Sequence, residues 1–140
     1  MTFFNFETFR KTKNFNNELY LEGIEQEKEV LPILKKFFKD PLIHSLPEGN
    51  VFDFKGEKKV IELKSRTNFS YSFKDTAIGL NKIRAARKAG CDVYFVFKFV
   101  DQIMYWKYDP SVVLREGLVF NVSHCFIPVI ILTRIYITDV

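Results

Sequence analysis

The sequence predicts a single α/β domain in which helices pack on a β-sheet. Three patterns support this prediction: helical apolar spacing over residues 23–39, a β-hairpin over residues 51–64, and a second helical pattern followed by two β-prone runs. The chain has 140 residues, of which 47% are hydrophobic and 16% aromatic, so it can form a core and is not expected to be disordered. No internal repeat or linker divides it, and residues 1–140 are predicted to form one domain.

Composition and charge exclude several classes of protein. The formal net charge of +4 allows a polyanionic partner but does not require one. Cys91 and Cys125 lie far apart and form no CxxC pair, which argues against a disulfide framework or a zinc site and favours a reducing, intracellular compartment. Residues 1–7 lack the pattern of a secretory signal, and the apolar run 126–132 is too short to span a bilayer. We therefore expect a soluble protein without a membrane partner.

The first predicted element is a helix over residues 23–39. Its apolar residues fall on one stripe: Ile24, Leu31, Leu34 and Phe38. Pro32 conflicts with a helix interior, which predicts a kink or a helix that starts anew near Leu31. Asp40–Pro41 ends the helix, and residues 1–20 predict an arm or a short helix because they carry no clean period.

Residues 51–64 predict a β-hairpin with its turn at residues 55–58. Alternation sends one set of side chains to the same face of the second strand: Val60, Glu62 and Lys64. Asp53, on the first strand, can reach that face as well. Two carboxylates and an ammonium group that converge in this way can hold a divalent metal and activate a water beside a phosphate. The alternative is a surface hairpin with cross-strand ion pairs.

The second half of the chain predicts one further helix and several strands. Asp75 is expected to cap a Lys/Arg-rich helix over residues 76–89, which Gly90 closes. The later elements follow in order: strands over 91–100 and 103–108 joined as a hairpin, a short helix over 110–115, and one or two strands over 126–140. Pro128 is expected to place the first of these last strands near the edge of a sheet.

The pattern Asp53…Glu62-x-Lys64 resembles the motif of the PD-(D/E)XK nuclease superfamily, in which an Asp in one strand is followed by Glu-x-Lys in the next. Phe52 stands where the name-giving Pro would be, a position that varies within the superfamily. The predicted order of elements is also similar to the α-β-β-β-α-β core of that superfamily. The resemblance implies a restriction-endonuclease-like fold, with a central mixed β-sheet flanked by helices.

The resemblance also implies roles for the residues of the motif. Asp53 and Glu62 would bind one or two Mg²⁺ or Mn²⁺ ions, and the backbone carbonyl of Leu63 would be a further ligand. Lys64 would orient or deprotonate the attacking water and offset charge that develops on the phosphate. Hard oxygen ligands of this kind argue against zinc.

Three further positions are candidates for the same site. The superfamily often adds a helical Glu to the metal shell, and Glu25 is the first choice, with Glu22 and Glu29 left open. The alternative is that all three acids form a solvated helix face. Arg66 continues the Glu62/Lys64 alternation and is expected at the rim, where it would hold a substrate phosphate or lie in water. Lys82 on the second helix would also contact nucleic acid, although a solvated basic face is the favoured interpretation there.

Aromatic residues alternate with polar ones directly after the motif: Phe69, Tyr71 and Phe73. This pattern can offer stacking surfaces to unpaired bases. It can equally be a strand with one aromatic face in the core, and the abundance of Phe, 16 residues in all, favours the core interpretation.

The predicted function is a metal-dependent endonuclease that hydrolyses DNA, with selectivity for structure rather than for a long sequence. Such a small core leaves little room for a separate recognition domain, and a homodimer is one assembly that it can form. Two alternatives stay open: a non-catalytic nucleic-acid-binding module of the same fold, and an RNA endonuclease. Location in the cytoplasm or nucleoid is expected, and a compact domain of this kind would suit a virus or mobile element.

Overall fold

The computed structural model describes residues 23–137 of the chain. The predicted N-terminal arm and Glu22 lie outside these residues. The described residues form two helices, α1 and α2, with nine strands and one 3₁₀ turn. In chain order they are α1 (residues 23–38), β1 (His44–Ser45), β2 (Phe54–Lys55), β3 (Lys59–Ser65), β4 (Asp75–Gly79), α2 (Leu80–Lys88), β5 (Asp92–Lys98), β6 (Ile103–Lys107), β7 (Arg115–Val119), β8 (Val122–Pro128), the 3₁₀ turn (Val129–Ile131) and β9 (Thr133–Ile135).

The strands form two sheets. The central sheet has six strands in the order β1-β2-β3-β5-β6-β9, in which β3 and β5 are parallel and all other neighbours are antiparallel. The second sheet has the antiparallel order β4-β8-β7. The predicted α/β class with a mixed central sheet is therefore confirmed.

Apolar side chains cover both faces of the central sheet. On one face, Val30 and Leu34 of α1 pack with Phe54 of β2 in a fully buried cluster. On the other face, Ile83 of α2 packs with Phe95 of β5. Because side chains alternate along a strand, β3 contributes to both clusters, and Glu62 points to the face that α2 covers. The two helices thus lie on opposite faces of the sheet.

The first helix continues through Pro32 and does not start anew near Leu31. Pro32 is exposed, so water can satisfy the carbonyl group that its missing N–H leaves unpaired. The helix ends before Lys39, which has a left-handed φ of 51°. Asp40 follows, and its buried carboxylate accepts hydrogen bonds from the amides of Leu42 and Glu57 and from the ammonium group of Lys59.

The predicted β-hairpin is confirmed. Phe54 pairs with Ile61, and the Gly56 amide donates to the Lys59 carbonyl at 2.9 Å across the turn. Gly56 is packed against Asp40, and a Cβ atom there would collide with the carboxylate. The hairpin and the end of α1 are therefore held together by one buried acid.

The helix predicted over residues 76–89 is wrong in its first part. Asp75–Gly79 is strand β4, with Thr76 and Ile78 buried in alternation, and α2 begins at Leu80. This segment pairs with β8, which lies far along the chain, so a tertiary contact decides between strand and helix. Asp75 caps no helix and instead forms an ion pair of 3.1 Å with Arg115.

Two predictions for the last third of the chain are also wrong. No helix covers residues 110–115: the chain turns at Ser111, whose amide and hydroxyl both donate to Asp109, and β7 follows. Strands β7 and β8 are joined at Phe120 and Asn121, whose φ values of 49° and 63° are typical of a type I′ hairpin turn. The edge position predicted for Pro128 is wrong: Pro128 is the last residue of β8, which is the middle strand of its sheet.

The hairpin predicted over residues 91–108 is confirmed. Strands β5 and β6 pair as predicted, with Tyr94 opposite Lys107 and Lys98 opposite Ile103.

Neither helix in residues 23–137 combines the length and the apolar composition that a membrane crossing requires.

Candidate active site

Asp53 and Glu62 lie close together on the hairpin. Phe54, the first residue of β2, pairs with Ile61, and the residues next to this pair are Asp53 and Glu62, whose charges interact. The Asp53 amide donates to the Ile61 carbonyl at 3.1 Å, and Asp53 Oδ2 accepts from the Leu63 amide at 2.8 Å. The side chain thus replaces a backbone acceptor, so β2 begins only after Asp53 and the carboxylate is held against β3.

Glu62 is a buried acid, with 2% of its surface exposed. Its Oε2 atom lies 3.6 Å from Lys64 Nζ and 3.1 Å from Lys82 Nζ. Its Oε1 atom is buried and has no hydrogen-bond partner among the described residues. Burial, followed by the charge of Asp53, raises the pKa of Glu62 to about 7, although both lysines lower it. The ionised carboxylate is therefore only partly compensated.

The helical acid at this site is Glu27 and not Glu25. Burial and then the nearby Asp53 carboxylate raise the pKa of Glu27 to about 7. Glu25 is 70% exposed and lies 3.7 Å from Lys28, so the structure does not bring it to Asp53. Glu29 is also exposed and pairs with Lys98 at 3.2 Å.

Helical spacing explains why Glu27 is the residue that points inward. It precedes the buried Val30 by three residues and Leu34 by seven, so all three share one stripe of α1. The sequence-based choice followed the position of Ile24 instead. The spacing of Glu27 from Val30 and Leu34 was the signal that would have identified it.

Lys82 enters the site from α2, on the opposite side of the sheet from α1. It is the third residue of that helix, and its ammonium group donates to the Val51 carbonyl as well as pairing with Glu62. The favoured interpretation of a solvated basic face is therefore wrong for this residue. Two of its three donors are directed at the protein, which makes Lys82 first of all a counterion for Glu62.

Arg66 is less free than a rim residue. Its Nε donates to Thr76 Oγ1 at 3.1 Å, a second guanidinium nitrogen donates to the Ala77 carbonyl, and the group lies 5.9 Å from the centre of the Phe97 ring. Burial lowers the pKa of Arg66. The side chain joins the end of β3 to β4, and its role in binding phosphate stays a prediction.

Two open cavities are lined by residues next to the acids in the chain or in contact with them. One, of about 310 Å³, lies on the α1 side and is lined by Gly23, Gln26, Glu27, Leu63, Ser65, Arg66 and Thr67. The other, of about 340 Å³, lies on the α2 side and is lined by Lys64, Arg66, Ala77, Gly79, Asn81, Lys82, Val119, Val122 and His124. The second cavity has an excess of basic side chains, so an anionic group would be stabilised beside Lys64.

The donor set fits a hard divalent cation. Asp53 and Glu62 provide carboxylate oxygens, and because the N–H and C=O of one strand residue point the same way, the Leu63 carbonyl points to the same edge as its amide. No three Asp, Glu, His or Cys side chains in residues 23–137 form a complete metal cage. Mg²⁺ needs no such cage, since one or two carboxylates with waters and a phosphate are its usual ligands. The unpaired Glu62 Oε1 is the atom that a cation would satisfy.

The aromatic residues after the motif are exposed, so the core interpretation is wrong for them. Phe69, Tyr71 and Phe73 expose 42%, 77% and 65% of their surface. They belong to the loop between β3 and β4 and not to a strand.

Comparison of the sequence with protein-family models and with curated proteins found no match.

Proposed function

We propose that this protein is a metal-dependent endonuclease that hydrolyses phosphodiester bonds in DNA, with Mg²⁺ or Mn²⁺ as its cofactor. One observation carries the proposal: a buried Glu62 faces Asp53 across a hairpin while Lys64 and Lys82 lie within 3.6 Å of its carboxylate. A buried acid with a raised pKa beside partly exposed cations is costly and is typical of sites that do chemistry.

Each residue of the proposed site has a separate task. Asp53 and Glu62, with the Leu63 carbonyl, would hold the metal, which supplies Lewis-acid stabilisation of the phosphate oxygens when bound. Asp53 needs no reorganisation because the Leu63 amide already fixes its carboxylate. Lys64 extends from the buried acid toward the α2-side cavity, where its ammonium group would position the attacking water and stabilise negative charge on the phosphate.

We also propose that the fold is restriction-endonuclease-like. The sequence of elements α1, β2, β3, β4, α2 and β5 agrees with the α-β-β-β-α-β order expected from the resemblance. The candidate metal ligands lie on β3 and just before β2, as the motif implies. Two features differ from a minimal core: β1 adds an edge strand to the hairpin, and β4 pairs within the second sheet.

A polyanionic substrate is supported by the charges beside the acids. Lys64, Arg66 and Lys82 line one cavity, and the chain carries a net charge of +4. DNA is the proposed substrate, and RNA is the alternative that the same acids would serve. A binding module without catalysis is the second alternative. The buried carboxylate of Glu62, with one oxygen that has no partner among the described residues, argues against it, because binding alone needs no buried acid. A homodimer stays a prediction.

The test is cleavage of labelled single-stranded, duplex, flap and four-way DNA and of RNA in Mg²⁺ or Mn²⁺. Glu62→Gln and Lys64→Met should each reduce the rate by about 10² or more, because each removes a preorganised charge. Glu25→Gln and Lys58→Met are matched controls on exposed positions and should cleave like the wild type. If Glu62→Gln cleaves as fast as Glu25→Gln, the assignment of the site is wrong.

Metal binding gives a second, independent measurement. Mn²⁺ at about 100 times its dissociation constant should stabilise the wild type by ~3 kcal/mol, and Glu62→Gln should lose this effect. Binding of nucleic acid by a wild type that cuts none of the substrates would favour the binding module instead.

A further inference from the structure

The loop between β3 and β4 holds two aromatic rings out in solvent. Phe69 and Tyr71 are stacked, with 5.3 Å between ring centres and 22° between planes. Tyr71 exposes 77% of its surface and Phe69 42%. Exposed apolar rings that lie side by side are costly in water, since burying such a ring is worth about 2 kcal/mol. A pair of this kind marks a candidate interaction surface.

Hydrogen bonds to the intervening residue hold the two rings in place. Ser70 is buried, its amide donates to Asp101 Oδ1 at 2.7 Å, and its hydroxyl donates to Asp101 Oδ2 at 2.6 Å. Gln102 donates to the same hydroxyl oxygen at 2.7 Å, and the Phe69 amide donates to Ser72 Oγ at 3.1 Å. The loop is therefore fixed on the β5–β6 turn, and the rings cannot fold inward without breaking charge-assisted bonds.

The aromatic pair lies next in the chain to the candidate active site. Ser65, the last residue of β3, and the first two residues of the loop, Arg66 and Thr67, line the same cavity as Glu27 and Leu63. Arg66 also lines the basic cavity with Lys64. Thr67, which lines the first of these cavities, precedes Phe69 by two residues, so the stacked rings lie a short distance along the chain from the candidate site.

We propose that Phe69 and Tyr71 form a platform on which an unpaired base of a nucleic-acid strand stacks, so that the preferred substrate carries a single-stranded segment at this site. Exposed aromatic rings present faces on which bases can stack, and each stacked base contributes about 1–3 kcal/mol. Bases inside a duplex already stack on each other and leave only the backbone for contact. The inference rests on the proposed function in one respect, namely that the strand bound at Phe69 and Tyr71 continues to Glu62.

Binding can be tested without cleavage. Fluorescence anisotropy in EDTA would measure the affinity of labelled oligothymidylate of about 12 nucleotides, of an abasic strand of equal length and of a duplex. Tyr71→Leu and Phe69→Leu keep apolar bulk but remove the ring. Phe37→Leu is the matched control, because Phe37 is 37% exposed, much like Phe69, and lies in the last turn of α1. Its neighbour Phe38 packs on Tyr94 near the start of β5, at the opposite end of that strand from the β5–β6 turn.

We expect Tyr71→Leu and Phe69→Leu to weaken binding of oligothymidylate about tenfold or more, and Phe37→Leu to change it less than twofold. The wild type should prefer the strand with bases over the abasic strand. Equal affinities for these two strands, or platform variants that bind like the control, would overturn the inference. So would a wild-type dimer that Tyr71→Leu converts to a monomer in sedimentation, since a second copy would then cover the rings.

The outcome also separates this inference from the proposed function. Cleavage that depends on Glu62, together with binding that is indifferent to Tyr71, would leave the nuclease and remove the platform. Binding that depends on Tyr71 without cleavage in Mn²⁺ would leave the platform and remove the nuclease.

Discussion

Replacement of Glu62 by Gln should stabilise the metal-free protein at neutral pH while it abolishes cleavage. The carboxamide has nearly the shape of the carboxylate, so the packing of a side chain that is 2% exposed changes little. What changes is the charge, which in the wild type is buried beside Asp53 with one oxygen unpaired among the described residues. A substitution at the centre of a proposed active site is then expected to act in opposite directions on stability and activity.

The pKa of Glu62 gives the size of the effect. It rises from the ordinary value of 4.5 to about 7, and because one pH unit corresponds to ~1.4 kcal/mol, ionisation in the fold costs about 3 kcal/mol more than in the unfolded chain. Between these two pH values the folded chain binds more protons than the unfolded chain, so the free energy of unfolding falls as pH rises. Glu62→Gln removes this dependence. It should match the wild type near pH 4 and exceed it by up to about 3 kcal/mol near pH 8.

Urea unfolding in EDTA, followed by the fluorescence of Trp106, measures this difference directly. Trp106 is the one tryptophan of the chain, and it is buried in the cluster on the α2 side of the sheet. Its emission should therefore report on unfolding of the core against which α2 packs. Glu25→Gln is the control, because Glu25 is exposed and should leave the pH profile unchanged. A Glu62→Gln variant that is less stable than the wild type near pH 8 would refute the reasoning, since the two lysines would then more than compensate the buried charge.

Three further predictions concern residues that support the site. In the metal-free protein, Lys82→Met should lower the free energy of unfolding by ~2 kcal/mol more near pH 8 than near pH 5, because the Lys82 ammonium group stabilises only the ionised form of Glu62. Equal losses at the two pH values in urea titrations would contradict the ion pair. Gly56→Ala should cost about 2 kcal/mol, because the added Cβ would collide with the Asp40 carboxylate, and an unchanged urea midpoint would disprove this contact. Phe54→Ala should cost about 4 kcal/mol of unfolding free energy because the ring is fully buried, and a loss below about 1 kcal/mol would show that the cavity is refilled.

The hairpin that carries the acids could be predicted because its information is local. Alternation fixes which side chains share a face, and the turn fixes the register, so the opposition of Asp53 and Glu62 follows from one short segment. The residues that reach the site from the two helices could not be predicted from one short segment. Glu27 and Lys82 reach the site only when the rotational phase of α1 and α2 against the sheet is known, and that phase is set by side chains such as Leu34 and Ile83.

The errors share one physical cause, which is pairing between segments distant in sequence. Asp75–Gly79 has a composition compatible with the start of a helix, but Thr76 lies opposite Ile127, some fifty residues later, and that pairing makes it a strand. The exposed aromatic loop has the same origin. Its composition favours a core, yet the bond from Ser70 to Asp101 turns Phe69 and Tyr71 outward. Local propensity is a weak guide wherever a distant partner supplies the hydrogen bonds.

The candidate site depends on an interruption in the sheet. If β2 began before Phe54 with ordinary ladder bonds, a backbone carbonyl would accept from the Leu63 amide and the Asp53 side chain would be free to turn toward water. Instead the Asp53 carboxylate takes that bond, so the ladder stops at Phe54 and the acid is fixed near Glu62. The same substitution of side chain for backbone therefore positions an acid at the end of the β2–β3 ladder. A divalent cation at this edge would recover, through Glu62, part of the free energy that the interrupted ladder and the buried charge cost the metal-free fold.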